Sequence, residues 1–210
     1  TSDLETDWDV EDEGEVRDLL NVEISRVGSD VIMRQTSYID TLVERFLGGD
    51  VPTSHQDSRV PAADDLELQV ERACCQRLDT AFVPDATILR EYQSLVGALL
   101  YCSTNTRPDV AYSVGQLCRC MSSPNAETLT AARRVLYYLH RHRELGLRFS
   151  CDRTPLDGFS DSNWGVKQST SAYVFMLANA AISWSSKRQT CIALSSCEAE
   201  LVAGAHQPEA

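Results

Sequence analysis

The chain has 210 residues, 43% hydrophobic and 24% charged, with a formal net charge of −12. That balance belongs to an ordinary globular protein of one or two domains with a real core. It excludes a membrane-spanning helix, because no apolar run approaches the roughly 20 residues a span needs.

The charge is divided unevenly. Residues 1–85 carry 21 acidic and 7 basic side chains, and residues 86–210 carry 10 and 12. The back half therefore holds its own basic cluster, Arg133, Arg134, Arg141, Arg143 and Arg148, and nucleic-acid binding is not excluded by the overall acidity. Eight cysteines and four histidines show no C-x-x-C and no ligand spacing, so a zinc site is not expected. Several of these cysteines fall within helical or strand patterns, as small buried thiols do, which fits a reducing intracellular compartment. The first residues, TSDLETDWDVEDEGE, lack the basic-then-apolar order of a secretory leader. They also lack an initiator Met, as expected of a chain that starts inside a longer reading frame.

In chain order, residues 1–15 hold eight acidic and no basic residues and read as a solvated, poorly ordered tail. LLNVEIS and VIMRQ read as a hairpin turning at Gly28-Ser29-Asp30. SYIDTLVERFLGG reads as a helix with Ile39, Leu42, Val43 and Phe46 on one face and Gly48-Gly49 as its end. Residues 50–85 read as a linker or long loop with a short helix at 66–78.

Residues 86–145 read as three helices. Leu89, Tyr92, Val96, Leu99 and Leu100 face inward on the first. Pro108 opens the second, with Val110, Val114, Leu117 and Met121 inward. Ser123-Pro124 opens the third, with Leu129, Ala132, Leu136 and Leu139 inward and Gly146 as its stop. From 147 the period changes. LGLRFS, LDGFS, SAYVFML, AISWSS and CIALS read as strands, and SSCEAELVAGA as a helix, which together make an α/β unit with one covered face.

Two acidic residues in this last stretch stand in unlike surroundings. Asp161 ends a short apolar run in LDGFSDSNWG, and Glu198 opens an apolar helix in ALSSCEAELVAG. An Asp at a strand end and a Glu on a following helix can meet across a sheet and offer hard oxygen ligands to a divalent metal. Each also has a purely structural reading. Ser160-Asp161-Ser162-Asn163 is good turn chemistry, and Ser195 with Glu198 three positions on fits a capping box.

YQSLVGALLYCSTNTRPDVAYSVGQLCRCMSSPNAETLTAARRVLYYLHRHRELGLRFS resembles the segment that precedes the RNase H domain in Pol polyproteins of copia-type LTR retrotransposons. LDGFSDSNWG, STSAYVFML, AISWSSKRQT and ALSSCEAEL are similar, in order, to the first strands and first helix of that RNase H domain. GEVRDLLNVEIS and QTSYIDTLVERF resemble the end of the reverse-transcriptase palm and the start of its thumb. The resemblance covers residues 13–205, and it rests on the order and spacing of the motifs together.

The resemblance implies an α/β chain. A reverse-transcriptase palm/thumb remnant and linker would span 16–85, a helical connection 86–146, and an incomplete RNase H-like mixed sheet with a helix 147–210. It implies Asp161 and Glu198 as the first two catalytic, Mg²⁺-binding carboxylates for hydrolysis of RNA in an RNA–DNA hybrid. Asn163 stands where the family usually has Asp, Ala172 where it usually has Gly, and the loop from Asp161 to Ser169 is shorter.

The third carboxylate would lie beyond Ala210, so the chain alone is expected to be inactive. Its expected partners are nucleic acid and the remainder of the Pol polyprotein, in a cytoplasmic particle or the nucleus, with no membrane. The alternatives are a non-catalytic binding relic of the element and a decayed product without selected function. Arg133, Arg134 and Arg141 are a candidate phosphate track or else a solvated helix face. Trp164, Tyr173 and Trp184 are candidates for base stacking or for core packing.

Overall fold

The computed structural model describes residues 14–49, 51, 59–79, 81–151, 154–164 and 168–205. Residues 1–13 of the expected acidic tail, 50, 52–58 and 80 of the expected linker, and 165–167 of the loop from Asp161 to Ser169 lie outside them.

The first sheet begins with β1 (Asp18–Leu19), β2 (Val22–Val27) and β3 (Asp30–Arg34), paired antiparallel in that order. LLNVEIS is thus two strands rather than one. Leu20 and Asn21 both have positive φ, 53° and 63°, and reverse the chain within two residues. Two left-handed residues match the twist of a tight hairpin, and the Tyr101 hydroxyl donates to the Leu20 carbonyl to hold the turn.

Five helices form the main core. α1 (Thr36–Leu47) buries Ile39, Leu42 and Val43 and ends at Gly48 in the left-handed conformation (φ 62°). The expected short helix is α2 (Leu66–Gln76), and it belongs to the core rather than to a linker, since Leu66, Val70 and Ala73 are buried. α3 (Ala86–Asn105) starts at Asp85, whose side chain accepts from the Thr87 and Ile88 N–H groups. Its buried face is Tyr92, Leu95, Val96, Leu99 and Cys102, while Leu100 is 43% exposed. That set keeps the 3.6-residue period over about three turns, and Leu100 is displaced from it.

Pro108 opens a short 3₁₀ turn leading into α4 (Ala111–Cys118). α5 (Ala126–Arg141) begins at Asn125, not at Ser123-Pro124, with a reciprocal Asn125–Thr128 capping box. The inward faces of α1 to α5 merge into one apolar cluster. Gly146 does not stop α5, which ends five residues earlier. It lies where the chain passes β3, and a Cβ there would be 2.1 Å from the Met33 carbonyl oxygen. Gly146→Ala is expected to destabilise the fold by about 1–3 kcal/mol, as overpacking against backbone does. A denaturation midpoint equal to wild type would refute that close approach.

β4 (Leu147–Phe149) pairs with β3 and completes the first sheet. The second sheet is β5 (Asp157–Asn163), β6 (Thr170–Leu177) and β7 (Ala180–Arg188), an antiparallel meander. Ala178 and Asn179 (φ 52° and 63°) make its tight turn. α6 (Ser196–Ala205) packs on β5 and β6.

Two sequence expectations change here. Every described strand pair is antiparallel, so the expected mixed sheet is not present among the described residues. CIALS is not a strand: Ile192 and Leu194 are 62% and 84% exposed, and the neighbouring backbone groups bond elsewhere. The Ala193 carbonyl accepts from Trp164 Nε1 and the Leu194 N–H donates to Glu198. The molecule is therefore mixed α/β, with two antiparallel sheets and six α-helices among the described residues.

Candidate carboxylate site

Asp161 lies on β5, which pairs only with β6 among the described strands. Cross-strand neighbours share a face of a sheet, and faces alternate along each strand. Asp161 is opposite Ala172, and Ala172 is opposite Ser186. The Val174–Trp184 pair shares that face, and Trp184 Nε1 donates to the Ser103 carbonyl of α3 at 2.7 Å. Asp161 is thus on the face turned toward the helical layer. It lines a cavity of about 670 Å³ there, together with Tyr112 of α4 and Trp184. Its Oδ1 accepts from the Ser162 backbone N–H at 2.8 Å.

Glu198 is in the first turn of α6. That helix covers the other face. Gln189 Nε2 donates at 2.8 Å both to Ser171 Oγ and to the Ala199 carbonyl, and Ser171 alternates with Ala172 on β6. Glu198 Oε2 accepts from the Leu194 N–H at 2.7 Å, and the Glu198 N–H donates to Ser195 Oγ at 3.2 Å. This is the reciprocal pattern of a capping box, with the carboxylate reaching one residue further back.

The two carboxylates therefore sit on one strand–helix unit but on opposite faces of its sheet, each occupied by a backbone N–H. Among the described residues no three His, Cys, Asp or Glu side chains converge as metal ligands. Mg²⁺ favours octahedral oxygen donors held by one or two converging carboxylates, and these two groups do not fit it as placed. Glu198→Gln is expected to lower stability by about 0.5–1 kcal/mol, because a neutral amide caps a helix N-terminus less well. Thermal unfolding of the two proteins side by side would measure the difference, and a more stable variant would contradict the capping role.

The arginines singled out from the sequence are engaged within the protein. Arg133 Nη2 meets Glu91 Oε1 at 2.5 Å, Arg134 Nε reaches the Val60 carbonyl at 3.5 Å, and Arg141 also has a partner. Arg143 is 3.7 Å from Asp40, and Arg148 is 2.7 Å from Asp30. Of the three aromatics, Trp184 and Tyr173 are half-buried, with Tyr173 packed on Phe175 at 5.7 Å, while Trp164 remains 61% exposed.

Sequence reasoning missed the polar centre of the helical layer. Arg107, 1% exposed, forms a two-pronged pair with Asp109, Nε–Oδ1 at 2.9 Å and Nη2–Oδ2 at 2.7 Å. Its Nη1 donates to the His142 carbonyl at 2.9 Å, and the Tyr138 hydroxyl donates to Asp109 Oδ2 at 2.9 Å. Burial alone would raise the Asp109 pKa, but the hydrogen bonds and charge of Arg107, with Tyr138, hold the carboxyl below its ordinary value. The only trace in sequence is Arg and Asp flanking Pro108, which reads as a turn.

No family model matches the chain, and no solved structure matches it. Curated relatives do. The chain is 32% identical, over 96% of its length, to the retrovirus-related Pol polyprotein from transposon TNT 1-94 of Nicotiana tabacum, of which it spans 15%. It is 34% identical, over 76% of its length, to the putative transposon Ty5-1 protein YCL074W of Saccharomyces cerevisiae, of which it spans 58%. It is 42% identical, over 53% of its length, to a protein of Plasmopara viticola named secreted RxLR effector protein 161, of which it spans 82%.

Proposed function

The chain belongs to the Pol polyproteins of copia-type LTR retrotransposons, and from that membership we propose that it is a segment of a larger Pol whose RNase H-like part hydrolyses RNA in RNA–DNA hybrids. The observation that supports this reading is the order of β5, β6, β7 and α6, with Asp161 on the first strand and Glu198 in the first turn of the helix packed on it. Those are the two positions that match the family's catalytic carboxylates.

The chain by itself is expected not to cleave hybrids. Asp161 and Glu198 face opposite sides of the sheet, and each accepts from a backbone N–H. Hydrolysis by two metals needs carboxylates converging on ions about 3.5–4 Å apart. The Mg²⁺ that goes with the activity therefore belongs to this reading only for the assembled Pol. Incubating the 210-residue protein with a labelled hybrid and Mg²⁺ tests the expectation. Cleavage that Asp161→Asn abolishes would mean that the site is complete in this chain.

A second reading is a binding module of the element that works without chemistry. The capping role of the Glu198 carboxylate favours it, since that oxygen already has structural work. Its partner would be nucleic acid or the rest of Pol.

A further inference from the structure

The helical layer covers the facing side of the β5–β7 meander only in part. On that side Phe159, Val174 and Trp184 make one cross-strand row, and Asp161, Ala172 and Ser186 make the next. Cross-strand partners and every second residue along a strand share a face, so these six lie on the same side. Tyr112 of α4 stands opposite, and the cavity of about 670 Å³ lies between. Phe159 and Tyr112 remain 61% and 37% exposed.

Three aromatic rings thus share one cavity with a carboxylate that has charge to spare. Asp161 takes the Ser162 N–H at 2.8 Å, and among the described residues no Lys, Arg or His lines the space. Asp109 also lines it, but Arg107 and Tyr138 hold both of its oxygens. The walls are braced from behind. Trp184 Nε1 donates to the Ser103 carbonyl at 2.7 Å, which fixes the indole. Gly115 lets α4 rest directly on β7, where a Cβ would meet the Ser186 carbonyl oxygen at 3.1 Å. A site built in advance loses little to ordering when a ligand enters, and the volume falls in the small-molecule range of roughly 300–1,000 Å³.

The chemistry of the walls selects the ligand. Mg²⁺ holds its water tightly and asks for several oxygen donors, which one carboxylate and three rings do not offer. An anion would meet Asp161 in a chain of net charge −12. An alkylammonium ion suits both components. Its charge is drawn to the carboxylate and to the ring faces, and its carbons bury against the same rings.

We propose that this cavity binds an organic cation, a small molecule with an alkylammonium head, with Asp161 as counter-charge and Phe159, Trp184 and Tyr112 around its carbons. The proposal does not rest on the hydrolysis reading and needs no metal.

Nuclear magnetic resonance of the isotope-labelled chain tests it through its three indole N–H signals, with Trp184→Phe identifying the Trp184 signal by its loss. The probes are choline and the alcohol in which a tert-butyl group replaces the trimethylammonium, added at constant ionic strength. Choline is expected to shift the Trp184 signal saturably, with an affinity at least about tenfold above that of the uncharged alcohol. Asp161→Asn should remove most of that difference and leave alcohol binding unchanged. Phe159→Leu, at an exposed position, should weaken choline binding about threefold. Thermal unfolding controls for the folding of each variant. Equal affinity for the two probes, or Asp161→Asn binding choline as wild type does, overturns the cation. Magnesium chloride moving the Trp184 signal as choline does overturns the preference for an organic ion. No saturable shift with choline up to about 100 mM overturns the site itself.

Discussion

Arg107→Met is expected to destabilise the protein by about 3 kcal/mol, the lower part of the range for breaking a buried ion pair. Three groups depend on this guanidinium: both oxygens of Asp109 and the carbonyl of His142. Removing it leaves the carbonyl with the Leu145 N–H alone of its two donors, and it takes from Asp109 its cation and the two bonds of the fork while the Tyr138 hydroxyl remains. The loss falls short of the upper limit because the Asp109 side chain keeps 32% of its surface in water. Arg107→Lys is expected to recover little, since an ammonium cannot reproduce the two parallel bonds of the fork.

The same pair sets a pH dependence. The folded-state pKa of Asp109 is lowered relative to the unfolded chain. Its stabilisation is therefore fully present above the unfolded carboxylate value of about 3.9 and is lost as pH falls through the folded value. Denaturant midpoints measured from neutral pH down into the acid range should fall less steeply for Asp109→Asn than for wild type. Equal slopes would remove Asp109 from the acid response.

Trp184→Ala is expected to cost about 3 kcal/mol, the lower end for truncating a large aromatic, because the ring is half-buried. The effect should be local. Trp184 packs with Met33, Leu147, Phe149, Val174 and Met176 in a small cluster separate from the main helical core. It also ties β7 to α3 through Ser103, which is 4% exposed. Hydrogen exchange should therefore accelerate in β6 and β7 before it does in α3 and α5. Trp184→Phe keeps most of the ring and loses the hydrogen bond, with an expected cost of about 1 kcal/mol. Uniform acceleration across both layers in the alanine variant would mean that the sheet and the helices unfold as one unit.

Much of the helical layer was legible because its apolar residues repeat at helical spacing. Ile39, Leu42 and Val43, then Val110, Val114 and Leu117, then Leu129, Ala132, Leu136 and Leu139 are buried as the period requires. The meander was legible for the same reason at a period of two, with turn residues between its strands. Helix α2 was harder, because Leu66, Val70 and Ala73 form a short stripe amid charged neighbours and are buried only by what packs over them. CIALS looked like a strand because its composition is apolar, but a strand needs a partner for its backbone, and Trp164 and Glu198 take those groups instead.

The sequence by itself determined the order of the main helices and of the meander strands, the faces of most helices, the acidic front and basic back of the chain, and the resemblance to the Pol family. Those properties depend on neighbours a few residues apart. Tertiary structure alone decided that β4 joins the N-terminal hairpin, that Arg107 is buried against Asp109 and His142, and that Asp161 and Glu198 lie on opposite faces of their sheet. It also decided which cations meet a carboxylate. Arg133 and Arg119 look alike in sequence, and they differ because Glu91, 42 positions from Arg133, comes to lie beside one, while among the described residues the other meets the Gln116 amide oxygen and no carboxylate. Charge is a property of the residue, but its availability is set by what the fold brings within reach.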